Sequence, residues 1–270
     1  MLRAFLVTLL VALPSLMLPG TSADAAQIVA LVAIFGAALT IVEYASDYPG
    51  LVEFRDAPPF NRIRFLSLFI TVLLLTLIAR GEVAPTTLTR FVTAIGALIG
   101  AAIDFPYSPV RLVVLMLPPD AGVAKIDLVR TSAGLAYLIS LLTLAIFLIY
   151  QRLRGWPLGS GTFNVWVNLP TFDPTAGGDV VERLERDARV NIALGFILPF
   201  LMPAVIKAAT SLFGAVSLEN PQTLIWTVAA WAFLPASLFM RGIAMGRIAG
   251  MIKEKRRKTT AAEQGDLLPV

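Results

Sequence analysis

The chain contains no cysteine and no histidine, and only 15% of its 270 residues are charged. Without cysteine there are no disulfides, thiolate nucleophiles or Cys-ligated iron–sulfur clusters. The missing histidine removes Cys/His zinc sites, haem held by those axial ligands, and imidazole proton relays. Soluble domains carry about 25% charged and about 45–50% apolar residues. Here 57% are hydrophobic and mean hydropathy is +0.78, the composition of an integral membrane protein. No cofactor is implied. Nucleic acid is not an expected partner either, because a surplus of four positive charges in so apolar a chain reads as membrane topology.

A helix needs about 20 apolar residues to cross a hydrocarbon core of about 30 Å. Runs of that kind lie near 27–45, 63–79, 131–150, 191–213 and 223–245. The expected fold is all-α, a polytopic transmembrane bundle of one membrane domain over 26–252, with a basic and disordered tail at 253–270.

Residues 1–25 permit two readings. Arg3, the apolar stretch Ala4–Leu18 and Ala23-Asp24-Ala25 follow the order of a secretory signal peptide. The same residues also suit an uncleaved helix that turns at Pro19-Gly20 into the next span.

The basic residues divide sharply between the connections. Sixteen of the 22 fall in one set: Arg3, the loop 46–62 with Arg64, the loop 151–190, and the C-terminal stretch from Arg241. Opposite them stand Arg80, Arg90, Lys125 and Arg130. Lys and Arg are retained on the cytoplasmic side, so the C-terminus is expected there. Arginine in excess of lysine, with abundant Ala and Leu, points to a bacterial inner membrane.

That division also constrains 91–118. A single crossing would place the KEKRRK tail outside, so the segment must begin and end on the outer side. Pro106 and Pro109 interrupt it, since proline removes a helix hydrogen bond and restricts the residue before it. The expectation is a re-entrant or broken helical hairpin with arms too short for two full spans. Asp104 and Arg111 flank the break, as an ion- or anion-binding pair or as a structural ion pair near the inner headgroups.

Lys207 follows Pro199 and Pro203 in GFILPFLMPAVIKAAT. Within a span, lysine costs about 2.5–3.5 kcal/mol at mid-depth and usually has a partner or a wet path. It is either a substrate- or ion-coupling cation beside a broken helix, or a side chain that snorkels to the outer surface. Gly96 and Gly100, and Gly242, Gly246 and Gly250, recur at four-residue spacing. Such rows let backbones approach closely, between subunits or inside one bundle.

In the loop 151–190, Trp156, Phe163, Trp166 and Phe172 suggest an ordered stretch on the inner interface that could dock a partner. Asp179 and Glu182 open a helix whose apolar face is Val180, Val181, Leu184 and Ala188, with Glu182–Arg186 and Glu185–Arg189 as supporting pairs. Asn61 is placed to cap the helix after Pro58-Pro59. Lys253, Lys255, Arg256, Arg257 and Lys258 form a cluster facing anionic lipid headgroups.

No catalytic motif is present; Gly159-Ser160-Gly161 matches neither a nucleophile elbow nor a phosphate loop. The expected function is a non-catalytic accessory, assembly or scaffold subunit that meets other membrane proteins. The alternative is a transporter or channel component using Lys207, Asp104 and Arg111.

Overall fold

The computed structural model describes residues 1–157, 164–173, 175, 177–213 and 218–266. The described residues are helical, without strands. In chain order the helices are α1 (Leu2–Met17), α2 (Ala23–Ala45), α3 (Phe60–Val83), α4 (Thr87–Ile103), α5 (Pro109–Val114), α6 (Val123–Arg154), α7 (Val165–Asn168), α8 (Val180–Phe213) and α9 (Pro221–Asp266). Five of them, α2, α3, α6, α8 and α9, are long and apolar enough to cross a membrane. The chain is a multi-pass helical membrane bundle.

The charge-free stretches inside the spans set the thickness. They run over 65–79 in α3, 131–151 in α6, 190–206 in α8 and 220–240 across the start of α9. At 1.5 Å per residue these are about 22–32 Å long, matching a hydrocarbon core of about 30 Å. Arg64, Arg152, Arg189 and Arg241 mark one end, here called the basic end. Arg80, Arg130, Lys207 and Glu219 mark the other.

α3, α6 and α9 form the centre. Val72, Leu75, Ile78, Val129, Ala133, Ala136, Leu224, Ile225, Val228 and Trp231 are buried in one cluster toward the far end. Several polar groups inside the bundle are paired across helices, as a medium without water favours, although the Ser132 hydroxyl has no partner. Thr143 donates to Ser67 Oγ at 2.8 Å, and Ser140 to the Ala232 carbonyl at 2.8 Å. α1 belongs to this core, with Ala4, Leu10 and Leu13 buried, and Gly20 turns it into α2 at φ +78°. α2, by contrast, buries only Ala33 along its length.

The prolines of α8 show how an orphaned carbonyl is recovered. Pro203 has no N–H to offer the carbonyl four residues back, at Pro199. The Trp231 indole donates to that oxygen at 2.9 Å, stitching α8 to α9. Trp231→Phe keeps an aromatic ring but leaves a small void and an unpaired buried carbonyl. It should cost about 1–3 kcal/mol, read as a lower midpoint in denaturing-detergent unfolding.

Three expectations are corrected here. The tail is not disordered from residue 253, because α9 stays helical through Asp266. The surface part of α8 holds it: Lys253 bonds Glu185 at 2.6 Å and Arg256 bonds Asp179 at 2.9 Å. Glu185 is therefore paired with Lys253 rather than with Arg189. Asn61 does not cap α3, which starts at Phe60 behind Pro59; its amide donates to the Glu53 carbonyl at 2.7 Å. The Val181, Leu184 and Ala188 face is buried as expected, against Ala244, Met245 and Ile248.

Asp179 caps α8 by accepting from the Val181 N–H at 3.1 Å. That backbone bond, then Arg256, holds its carboxyl below the ordinary aspartate range. A lowered folded value stabilises above the unfolded pKa and is lost as pH falls through the folded one. Hydrogen exchange at 180–184 and 253–258 should accordingly quicken on acidification below the ordinary aspartate range, and Asp179→Asn should flatten that response.

Candidate functional site

Two charged layers, one at each end of the bundle, hold every residue that the sequence singled out for chemistry.

At the far end, α4 stops at Asp104, Tyr107 takes φ +66°, and the Ser108 hydroxyl accepts from the Arg111 N–H at 3.0 Å to start α5 with Pro109 in its first turn. The broken hairpin is thus two short helices. It brings Asp104 and Arg111 together: Arg111 Nε lies 2.8 Å from Oδ1. Arg130 of α6, unmarked by the sequence pattern, closes the other side with Nε 2.8 Å from Oδ2 and reaches Asp127 at 2.7 Å. The Asp104 side chain is 5% exposed. Arg111 meets Oδ1 as a close charge without an aligned hydrogen bond. The pair lies at the far end rather than at the basic end, because Arg130 and Asp127 lie within the first turns of α6, at the opposite end from Arg152.

Lys207 sits in the same layer. Its ammonium donates to the Leu115 carbonyl at the C-terminal end of α5, where the helix dipole favours a cation. Lys207 therefore ties α8 to α5.

The glycine rows are read directly from what a Cβ would meet. At Gly96 it would lie 2.8 Å from Thr131 Cγ2, at Gly100 2.7 Å from the Arg130 carbonyl oxygen, and at Gly242 2.7 Å from the Ala188 carbonyl oxygen. All three are contacts within the bundle. Gly246 has ordinary contact with Ala188, and Gly250 has nothing within 4 Å. Two further glycines, without a four-residue row to announce them, are equally tight. Gly134 meets the Gly100 backbone, and a Cβ at Gly195 would lie 2.8 Å from the Pro235 carbonyl oxygen.

At the basic end the loop 46–59 and residues 155–157 and 164–173 form a cap. Phe54, Phe60, Phe147 and Trp156 stack with centroids 4.3 to 5.9 Å apart. The Trp156 indole donates to the Ala57 carbonyl at 3.1 Å. Asn168 clamps the first loop through its main-chain oxygen on the Phe54 N–H, 2.7 Å, and its side-chain oxygen on the Asp56 N–H, 3.0 Å. Glu53 then receives Arg241 of α9 through two nitrogens, at 2.6 and 2.8 Å, and Thr171 at 2.8 Å. Glu43, at the end of α2, accepts from the N–H groups of Gly50, Leu51 and Val52 at 2.9–3.2 Å. Neither glutamate carries a sequence signal for this role, because both partners are remote in the chain or in the backbone.

The four aromatics expected on a docking surface separate. Trp156 and Phe172 are buried in the cap, which corrects their assignment to an exposed face. Trp166 is exposed on α7, and Phe163 lies outside the described residues. Tyr48 and Leu51 of the loop 46–59 are exposed as well. In the basic cluster Lys253, Arg256 and Lys258 are paired with Glu185, Asp179 and Glu254. Among the described residues no group of three Asp or Glu could hold a metal ion.

No protein family, curated protein or solved structure matches the chain.

Proposed function

We propose that this chain is a non-catalytic subunit of a bacterial inner-membrane complex, an accessory, assembly or scaffold protein with its basic end and C-terminus in the cytoplasm. The observation that carries this reading is the employment of the charged groups near the membrane. Asp104 is closed between Arg111 and Arg130, Lys207 is bonded to a helix end, and Glu53 is bonded to Arg241. Each of them fastens one helix or loop to another, so the charges that a translocation path would use are committed to the fold.

The cap supports the same reading. A connector between spans needs no aromatic core, yet this one is built around Trp156 and Phe60 and leaves Tyr48, Leu51 and Trp166 exposed. A rigid scaffold with protruding aromatic and apolar side chains is suited to a protein partner at the membrane surface. The 16-to-4 division of basic residues supports the orientation.

Purification in mild detergent after in-cell cross-linking, followed by mass spectrometry, tests the proposal. The expected result is a stoichiometric membrane partner, lost on Tyr48→Ser with Trp166→Ser. A lone monomer with no cross-linked product would overturn it. Lys207→Met separates the transport alternative: flux of any solute that depends on this chain should survive, whereas its loss in a stably folded variant would favour the alternative.

A further inference from the structure

The inner ends of α1 and α2 enclose a groove of about 470 Å³, lined by Leu2, Ala4, Ile41 and Ala45 together with Arg3, Thr40 and Tyr44. Its floor is apolar and its polar groups gather at the membrane surface level of the basic end. The Arg3 guanidinium lies over the Tyr44 ring, 3.9 Å from its centroid. Thr40 is spent on the Gly36 carbonyl at 2.7 Å, so it turns no hydroxyl hydrogen to a ligand.

The charges around the groove do not cancel. Glu43, the acid nearest in sequence, turns to the backbone of Gly50–Val52, and Glu53 is held by Arg241. Among the described residues Arg3 is left with no ion pair. Arg64 is packed against Phe60 and Phe233 with its Nε buried without a hydrogen-bond partner, and the Glu53 carboxylate offsets part of its charge.

We propose that this groove binds one anionic phospholipid, with the headgroup phosphate on Arg3 and the acyl chains along Leu2, Ala4 and Ile41. The chemistry is that of a phosphate monoanion attached to a hydrocarbon chain. Arg3 supplies the fork that matches phosphate oxygens, and the ring of Tyr44 keeps the guanidinium in place. This site is separate from the tail cluster, in which Lys253 and Arg256 pair with Glu185 and Asp179.

The full chain in dodecylmaltoside, followed by native mass spectrometry, provides the test, with phosphatidylglycerol, phosphatidylcholine and inorganic phosphate as probes. One phosphatidylglycerol should remain bound at energies that strip the others. Arg3→Gln should weaken it about five- to tenfold, the effect of one basic residue near an anionic surface or slightly more. Ile41→Trp, which fills the floor and leaves Arg3 intact, should weaken it as well. A variant with Lys255, Arg256 and Arg257 all changed to Gln should retain it. Unchanged phosphatidylglycerol binding in both Arg3→Gln and Ile41→Trp overturns the proposal. So does equal retention of phosphatidylcholine, and full competition by inorganic phosphate reduces the site to an anion site without a lipid. The same spectra read the intact mass, and a mature chain lacking residues 1–25 would remove Arg3 and the proposal with it.

Discussion

Gly134→Val is expected to abolish the folded bundle, whereas Gly250→Ala leaves it intact. At Gly134 the added carbon would fall on the Gly100 Cα and nitrogen, and at Gly100 on the Arg130 carbonyl. Both obstacles are backbone within helices, so no rotamer change relieves them. α4 would have to move away from α6, and the contact between Asp104 and Arg130 would open with it. Overpacking of a rigid core costs about 1–3 kcal/mol and occasionally more. Here the loss of the adjacent ion pair adds to that. The measurement is the monodisperse fraction in size-exclusion chromatography together with the unfolding midpoint in denaturing detergent. Gly250 has open space around it, so alanine there should be neutral or stabilising by about 0.5–1 kcal/mol through helix propensity. Equal behaviour of the two variants would show that close approach of α4 and α6 is not what holds the hairpin.

Glu53→Ala is the second large effect. Glu53 is 11% exposed and Arg241 25% exposed, and the glutamate also receives Thr171. Removing it strips Arg241 of its carboxylate and Arg64 of the charge that offsets its own, so two guanidinium groups are left uncompensated in a poorly hydrated site. Breaking a buried pair from one side costs about 3–5 kcal/mol, because the remaining charge stays desolvated. The damage should be local to the cap: faster hydrogen exchange at 50–57 and 165–172, and a new protease cut in the loop 46–59, with the far-end core still protected. Glu53→Gln keeps an acceptor oxygen and should recover part of the loss. Arg241→Met should cost less than Glu53→Ala, since it leaves an acid close to Arg64 that can take over as partner.

The spans, the break at Pro106 and Pro109, and the buried face of the surface part of α8 were legible because they are local and periodic. Hydropathy over about 20 residues, a missing N–H, and apolar side chains every three or four residues are properties of adjacent sequence. Asp104 with Arg111 was legible for the same reason, seven residues apart across one turn. Arg130 was not, because its approach to Asp104 depends on where α6 crosses α4. The tail was misread for a similar cause. Its run of like charge looks solvated until α8 supplies Glu185 and Asp179 alongside it.

The aromatic loop teaches the same lesson from another side. Trp156 and Trp166 have equal claims as exposed docking residues in the sequence. One fills the cap beside Phe60 and the other faces outward, and only the fold of the loop 46–59 over α6 and α9 distinguishes them.

Composition and charge order alone therefore determined that this is a multi-pass helical membrane protein without cysteine or histidine chemistry, and which loops share a side. Those are sums and patterns along the chain, and the bilayer reads them residue by residue. The tertiary structure decided what the charges and glycines are for. Whether a lysine lines a path or bonds a helix end, and whether a glycine meets backbone or open space, depends on partners scores of residues away. Those distances exist only once the helices are packed.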